Sequence, residues 1–259
     1  MNCNSKKFKR TIRSIIAPIV LILIWQISSS KGIIPIYILP KPSKIGKTFM
    51  AMCLSGELFA HIAISIIRVL EGFFIGTILA LIIGILCGLY EKIDDYLSLI
   101  IGFLRPIPVL AWIPLLILWC GIGETSKVAL IAIGTFWTVL INVIWGIKNT
   151  DYKLLEVASI LEKDKKTLLF KVILPSSMPS IFTGMRLGID MAWRCVVGAE
   201  MIAASKGVGF LINYARDISQ PDVMIVGMIS IGIIGIIIEK ILRLLEKSIL
   251  KWNVNMDKD

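Results

Sequence analysis

Five stretches of this chain contain no Asp, Glu, Lys or Arg: residues 14–30, 72–90, 106–123, 128–147 and 223–238. Each is close to the roughly 20 residues that a helix needs to cross the hydrocarbon core of a bilayer. A sixth stretch, 181–204, is equally apolar but carries Arg186, Asp190, Arg194 and Glu200. In hydrocarbon no water satisfies the backbone, so a segment crossing by itself must be helical. The expectation is an all-α membrane protein with six transmembrane helices. A hydrophobic share of 56% in 259 residues and a mean hydropathy of +0.84 exclude an ordinary soluble domain.

The net charge of +10 would suggest nucleic acid in a soluble protein, but its distribution here points to a membrane and no nucleic acid. With the N-terminus in the cytoplasm, inner segments hold 17 Lys and Arg and outer segments 7. The positive-inside rule then predicts cytoplasmic termini and a cytoplasmic loop at 149–175. Basic residues ahead of a short apolar run also describe a secretory signal peptide, and Ser28–Ser29–Ser30 supplies small residues. A retained first helix is the preferred reading, because its removal leaves an odd number of spans and splits the basic termini across the membrane. The expected organisation is an N-terminal tail, first helix and external segment over 1–61, a core of five helices over 62–246, and a cytoplasmic tail over 247–259.

The loop at 149–175 is the charged interruption in this apolar chain. Two short amphipathic helices are expected within it. Asp151 caps the first, with Leu154, Leu155, Ala158 and Leu161 on one side, and Asp164 caps the second, with Leu168, Leu169 and Val172. Pro175 is expected to end the pattern, since it lacks an N–H and disfavours helix in the residue before it.

This loop reads Glu156-Val157-Ala158, three residues, Glu162, nine residues, then Val172-Ile173-Leu174-Pro175. It resembles the EAA motif of ATP-binding-cassette importer permeases (Glu-Ala-Ala, three residues, Gly, nine residues, Ile-x-Leu-Pro). Val157 replaces an alanine, and Glu162 replaces the glycine that would make a left-handed turn without steric cost. The segment from Arg105-Pro106-Ile107-Pro108 through Ala111-Trp112-Ile113-Pro114 to Trp119-Cys120-Gly121-Ile122-Gly123-Glu124 is similar to the nitrate/sulfonate/taurine branch of that family. Leu39-Pro40-Lys41-Pro42-Ser43, Ser55-Gly56-Glu57-Leu58 and Ala199-Glu200-Met201 extend the similarity over nearly the whole chain. The three prolines at 106, 108 and 114 predict an interrupted helix, of the kind that lines transporter cavities.

Three further patterns bear on function. Gly72, Gly76, Ala80, Gly84 and Gly88 recur every four residues, a stripe that lets a neighbouring helix approach closely. Arg186, Asp190 and Arg194, also four apart, either line a translocation path or lock helices together through ion pairs, with Asp190 able to pair with either arginine. Glu200 is expected near the outer interface. Gly46-Lys47-Thr48 mimics the end of a phosphate-binding loop, but Lys41 stands where the first glycine is required, so this chain binds no nucleotide. Cys3, Cys53, Cys87, Cys120 and Cys195 form no CxxC pair and read as small apolar residues, and His61 has no partner ligand nearby in sequence, so no metal is expected.

The resemblance implies a type I importer permease fold with a cytoplasmic coupling-helix loop, in the plasma (inner) membrane of a prokaryote. It implies a non-enzymatic permease working as a homodimer with cytoplasmic ATPase subunits that hold the ATP and Mg, and with an extracytoplasmic solute-binding protein. Leu155, Glu156, Ala158, Leu161, Glu162, Leu174 and Pro175 are the expected coupling residues. The implied solute is a small anion: an aliphatic sulfonate, taurine or nitrate, with bicarbonate or a thiamine-precursor pyrimidine as alternatives. The rival class is a secondary transporter in which Asp190 or Glu200 carries a proton and Arg186 meets the substrate charge. A membrane enzyme ranks third, since no catalytic constellation stands out.

Overall fold

Small residues on two helices decide how the bundle is assembled around a third. The computed structural model describes residues 3–161 and 164–249. Helix α1 runs Cys3–Ser30, α2 Pro42–Leu54, α3 Glu57–Leu89, α4 Glu91–Leu104, α5 Ile113–Cys120, α6 Glu124–Lys148, α7 Tyr152–Ile160, α8 Lys165–Leu168, α9 Leu174–Ala203, α10 Val208–Asp217 and α11 Pro221–Ile249. Helix α6 is the central post. The stripe of α3 lies against one side of it: a β-carbon on Gly72 or Gly88 would meet Ile131 or Ile147, and one on Gly84 would meet Val143. Gly76 presses on the backbone, its β-carbon position lying 2.5 Å from the carbonyl oxygen of Ala132. On the other side, Gly184 and Gly188 of α9 face Asn142 and Val139. Ala80, Val139, Leu140 and Val143 are fully enclosed at these contacts. Close approach replaces the hydrophobic driving force that lipid does not supply.

Helices α3, α6 and α11, with the continuous run Lys166–Ile202, are long and apolar enough to cross a membrane. A fifth crossing is present if one bent pair of limbs is taken as a single span. Helix α4 meets the segment Val109–Cys120 at 89°, with a 3₁₀ turn at Val109–Trp112 opening the second limb. The third span therefore begins near Glu91, and the prolines sit at its middle and not at its start. The charge-free window missed its first limb because Glu91, Lys92, Asp94, Asp95 and Arg105 lie there. Asp94 is satisfied by an ion pair with Lys148 at the end of α6. In α1, the stretch Ile16–Ser30 is apolar. It is tied to the start of α2, where Ser29 Oγ donates to the Leu39 carbonyl at 3.1 Å and the Gln26 side chain holds Ser43. Helix α2 is fastened in turn to the start of α11, Asp222 accepting from Thr48 at 2.8 Å and pairing with Lys44 at 3.2 Å.

Pro175 does not end the loop pattern. Helix α8 passes through a π-helical turn at Leu169–Ile173 straight into α9, with Pro175 in the first turn of α9. The Leu174 N–H reaches back five residues to the Leu169 carbonyl. This wider turn makes room for a proline ring in a continuing helix.

Candidate functional site: a loop, a rod and a charged cleft

Asp151 and Asp164 begin the two loop helices as their chemistry dictates. Asp151 Oδ1 accepts from the Lys153 N–H at 3.0 Å, and Asp164 Oδ2 accepts from the Thr167 N–H at 3.3 Å. The hydrogen bonds from Thr167, side chain first and backbone second, hold the Asp164 carboxyl below the usual carboxylate range. Helix α7 packs back on the loop through Ala158, which is buried, and Leu155, which is half-buried. Glu156, Leu161 and Pro175 are exposed and Leu174 is half-buried. Glu162 lies outside the described residues.

The apolar surface that the loop turns outward takes in Leu154 and Leu161 of the helical pattern together with residues outside it. Tyr152, Val157 and Phe170 are exposed, and Ile160 is 80% exposed. Leu154, Val157, Leu161 and Lys171 flank a cleft of about 590 Å³ between the two halves of the loop. A period of 3.6 identifies an apolar stripe but not which of two flanking faces the chain itself covers.

The rod that leaves the loop carries the intramembrane charges. Arg186, Asp190 and Arg194 do not form one network. Asp190 pairs with Arg194 at 2.9 Å, both side chains open, while Arg186 reaches across to Glu246 of α11 at 3.1 Å. All three lie along a cleft of about 510 Å³ between α9 and α11, floored by Trp193 and Gly235. The Trp193 indole donates to the Ile231 carbonyl at 3.1 Å, which fixes that floor. Arg186 thus ties two helices, while Asp190 and Arg194 pair within α9 with both side chains exposed.

At the end of the bundle away from the loop lies a buried ionic cluster that the sequence did not reveal. Arg68 of α3 donates to Glu200 at 2.7 Å, to Glu124 at 2.8 Å and to the Lys206 carbonyl at 2.7 Å. Glu200 also accepts from Ser65 at 2.8 Å and from the Gly209 N–H at 2.9 Å, and its side chain is wholly enclosed. Lys127 completes the cluster at 3.0 Å from Glu124. Glu200 is therefore enclosed within the bundle at that end. It anchors α3 to α9 and to the turn before α10. His61 finds its partner 146 residues away, its Nδ1 accepting from the Gly207 N–H at 3.0 Å. Buried charges are tolerated when paired and fully hydrogen-bonded, as Arg68 and Glu200 are. Separations of 56 to 146 residues between the partners that join α3 to other elements leave no periodic trace.

Residues 76–251 match the family model described as "Binding-protein-dependent transport system inner membrane component". The chain is 42% identical over 241 residues to the putative aliphatic sulfonates transport permease protein SsuC of Bacillus subtilis, covering 93% of this chain and 87% of that one. It is 32% identical to the taurine transport system permease protein TauC of Escherichia coli, covering 88% and 85% of the two chains. A crystal structure of an amino acid ABC transporter with histidines superposes with a TM-score of 0.65 at 17% identity, covering 77% of this chain and 98% of that one. That likeness establishes the helical fold. The spans, the loop-and-rod arrangement and these matches together place the chain in the family of binding-protein-dependent inner-membrane transport components, as an importer permease of the sulfonate/taurine/nitrate branch and not an enzyme.

Proposed function

We propose that the chain is the membrane permease of an ATP-driven importer for a small anionic solute, an aliphatic sulfonate, taurine or nitrate. The observation that carries this reading is the rod. One continuous helical run, from Lys165 through the π-helical turn to Ala203, carries the loop's exposed Phe170 at one end and the α9 face bearing Asp190 and Arg194 further along. A push on the loop is then delivered to the cleft without passing through a flexible joint.

In this reading two copies of the permease flank a path. Each docks its loop, through Val157, Ile160, Phe170 and the exposed Glu156, in a groove on a cytoplasmic ATPase that holds ATP and Mg. Closure of the ATPases tilts the rods and turns the α9 clefts between the two sides of the membrane, while an external binding protein delivers the solute. The loop and both termini lie in the cytoplasm, where the excess of Lys and Arg belongs. The open Arg194–Asp190 pair offers a guanidinium to an anion. The rival proton-coupled carrier is disfavoured because both of its expected proton carriers are engaged, Asp190 by Arg194 and Glu200 by Arg68.

The test uses cells carrying the complete importer. Ile160→Glu and Glu156→Lys change exposed positions, so the permease should insert in normal amounts and lose nearly all uptake. A protonophore under maintained ATP should have little effect on the wild type. Uptake that survives both substitutions and collapses with the proton gradient would overturn the proposal. Ala158→Asp is a poor discriminator, because Ala158 is buried within the chain.

A further inference from the structure

Three consecutive backbone N–H groups at the start of α10 are each held by a side chain from another helix. Gly207 donates to His61 at 3.0 Å, Val208 to Ser65 at 2.9 Å and Gly209 to Glu200 at 2.9 Å. The Lys206 carbonyl, next in the same turn, accepts from Arg68. His61, Ser65 and Arg68 stand at i, i+4 and i+7 on α3, one stripe that grips one turn. The turn needs this grip. Gly207 has φ +122°, and a β-carbon there would lie 2.3 Å from the Glu200 carboxyl carbon, so the backbone rests directly on the buried ion pair.

The three acceptors differ in kind. A backbone N–H only donates, so the His61 Nδ1 must carry a lone pair; an imidazolium has two N–H groups and no acceptor. Serine does not titrate, and Glu200 is clamped by Arg68. Imidazole is the side chain whose ordinary charge change falls between about pH 5 and 8. His61 is only half-buried, so protons reach it, and its ring is held in place by stacking on Phe210 at 6.1 Å. The charged groups around the turn are Glu57 and Arg68 on α3, Glu124 and Lys127 on α6, Glu200 on α9 and Lys206 in the turn itself. Three carboxylates and three cations cancel, which leaves the state of the ring to set the local charge. Beyond Phe210 the stack continues to Tyr214.

We propose that His61 is a proton-sensitive catch: neutral, it holds the turn before α10 against α3, and protonated, it turns a donor toward the Gly207 N–H and releases it. The catch is closed while the ring is neutral and opens when a proton reaches it from the side of the membrane on which the turn lies. That side is the exterior in the orientation proposed above, but the catch itself depends only on the geometry of the turn.

The test follows hydrogen exchange of the backbone amides at 204–209 in the purified full-length chain in nanodiscs, at pH 7.5 and pH 5.5. His61→Asn places a non-titrating carbonyl oxygen near the Nδ1 position and is the reference at each pH, so the intrinsic pH dependence of exchange cancels. Wild type and His61→Asn should exchange alike at pH 7.5, and the wild type should exchange at least about fivefold faster at pH 5.5. His61→Lys, cationic and without an acceptor, should exchange fast at both. A wild-type to His61→Asn ratio that is the same at both pH values, or a His61→Lys chain as protected as the wild type, overturns the proposal. None of these readings requires transport, so they stand apart from the uptake test of the permease reading.

Discussion

Arg68→Met should be among the most damaging single substitutions in this chain, and its cost should fall on Glu200 and not on Glu124. Among the described residues, Arg68 is the one cation that touches Glu200, whose side chain is 0% exposed. Without it, the carboxylate keeps only Ser65 and the Gly209 N–H in an enclosed site. Removing one partner of a buried pair typically costs about 3–5 kcal/mol. Glu124 behaves differently: its side chain is 62% exposed and it keeps Lys127 at 3.0 Å, so Glu124→Gln should cost about 1 kcal/mol or less. Glu200→Gln should fall between the two, since Arg68 then keeps Glu124 and the Lys206 carbonyl. The same reasoning gives a less obvious result for the double variant. Adding Glu200→Gln to Arg68→Met removes the orphaned charge while an amide still accepts from Ser65 and Gly209. The double variant should therefore be more stable than Arg68→Met alone, by roughly 1–3 kcal/mol, the usual cost of an unsatisfied buried polar group. Thermal unfolding of the detergent-solubilised chain, followed by size-exclusion fluorescence, ranks the four proteins. A double variant less stable than Arg68→Met, or a Glu124→Gln as damaging as Arg68→Met, would refute the reasoning.

Gly76→Leu should prevent α3 from seating on α6, since even a β-carbon there lies 2.5 Å from the Ala132 carbonyl oxygen; overpacking of about 1–3 kcal/mol or more is expected, read as loss of monodisperse protein. Gly46→Ala is the contrasting control: nothing lies within 4 Å of a β-carbon there, and an alanine inside α2 should gain up to about 1 kcal/mol. Deleting Phe170 should turn the π-helical turn at Leu169–Ile173 into an ordinary helix and rotate the loop by about 100° around the rod; thermal stability should stay near that of the wild type while uptake is lost, and retained uptake would remove the rod from the mechanism. The cap at Asp164 should be fully formed above the ordinary carboxylate range and weaken as the pH falls through its lowered folded-state value, because the ionised form is the one that Thr167 binds. Exchange of the Thr167 amide should show that step in the wild type and not in Asp164→Asn.

How much was legible beforehand depends on the distance over which each feature is decided. The glycine stripe of α3 could be read directly, since a four-residue repeat of small side chains is local information; that it meets α6 could not. The bend at 105–108 was announced by its prolines, but the first limb of that span was hidden by charges, among them Asp94, whose partner Lys148 lies 54 residues away. The loop illustrates the same divide. Its caps at Asp151 and Asp164 follow from side chains acting on N–H groups two or three residues away. Whether Ala158 or Val157 faces outward depends on how the loop folds back on itself. Pro175 misled because its steric rule assumes an α-helix, and a π turn satisfies the same ring by widening the backbone.

What the sequence by itself determined is what nearest neighbours determine: apolar length, helical period, caps, and the Lys and Arg asymmetry on which the proposed orientation rests. Only the tertiary structure decided which charges meet. Arg68 and Glu200 are 132 residues apart, as their hydrogen bond spans them, and each alone reads as an expensive ion in an apolar helix. Their pairing depends on the order and rotation of α3, α6 and α9. No local pattern encodes that rotation, because it is set by glycines on two helices closing on a third.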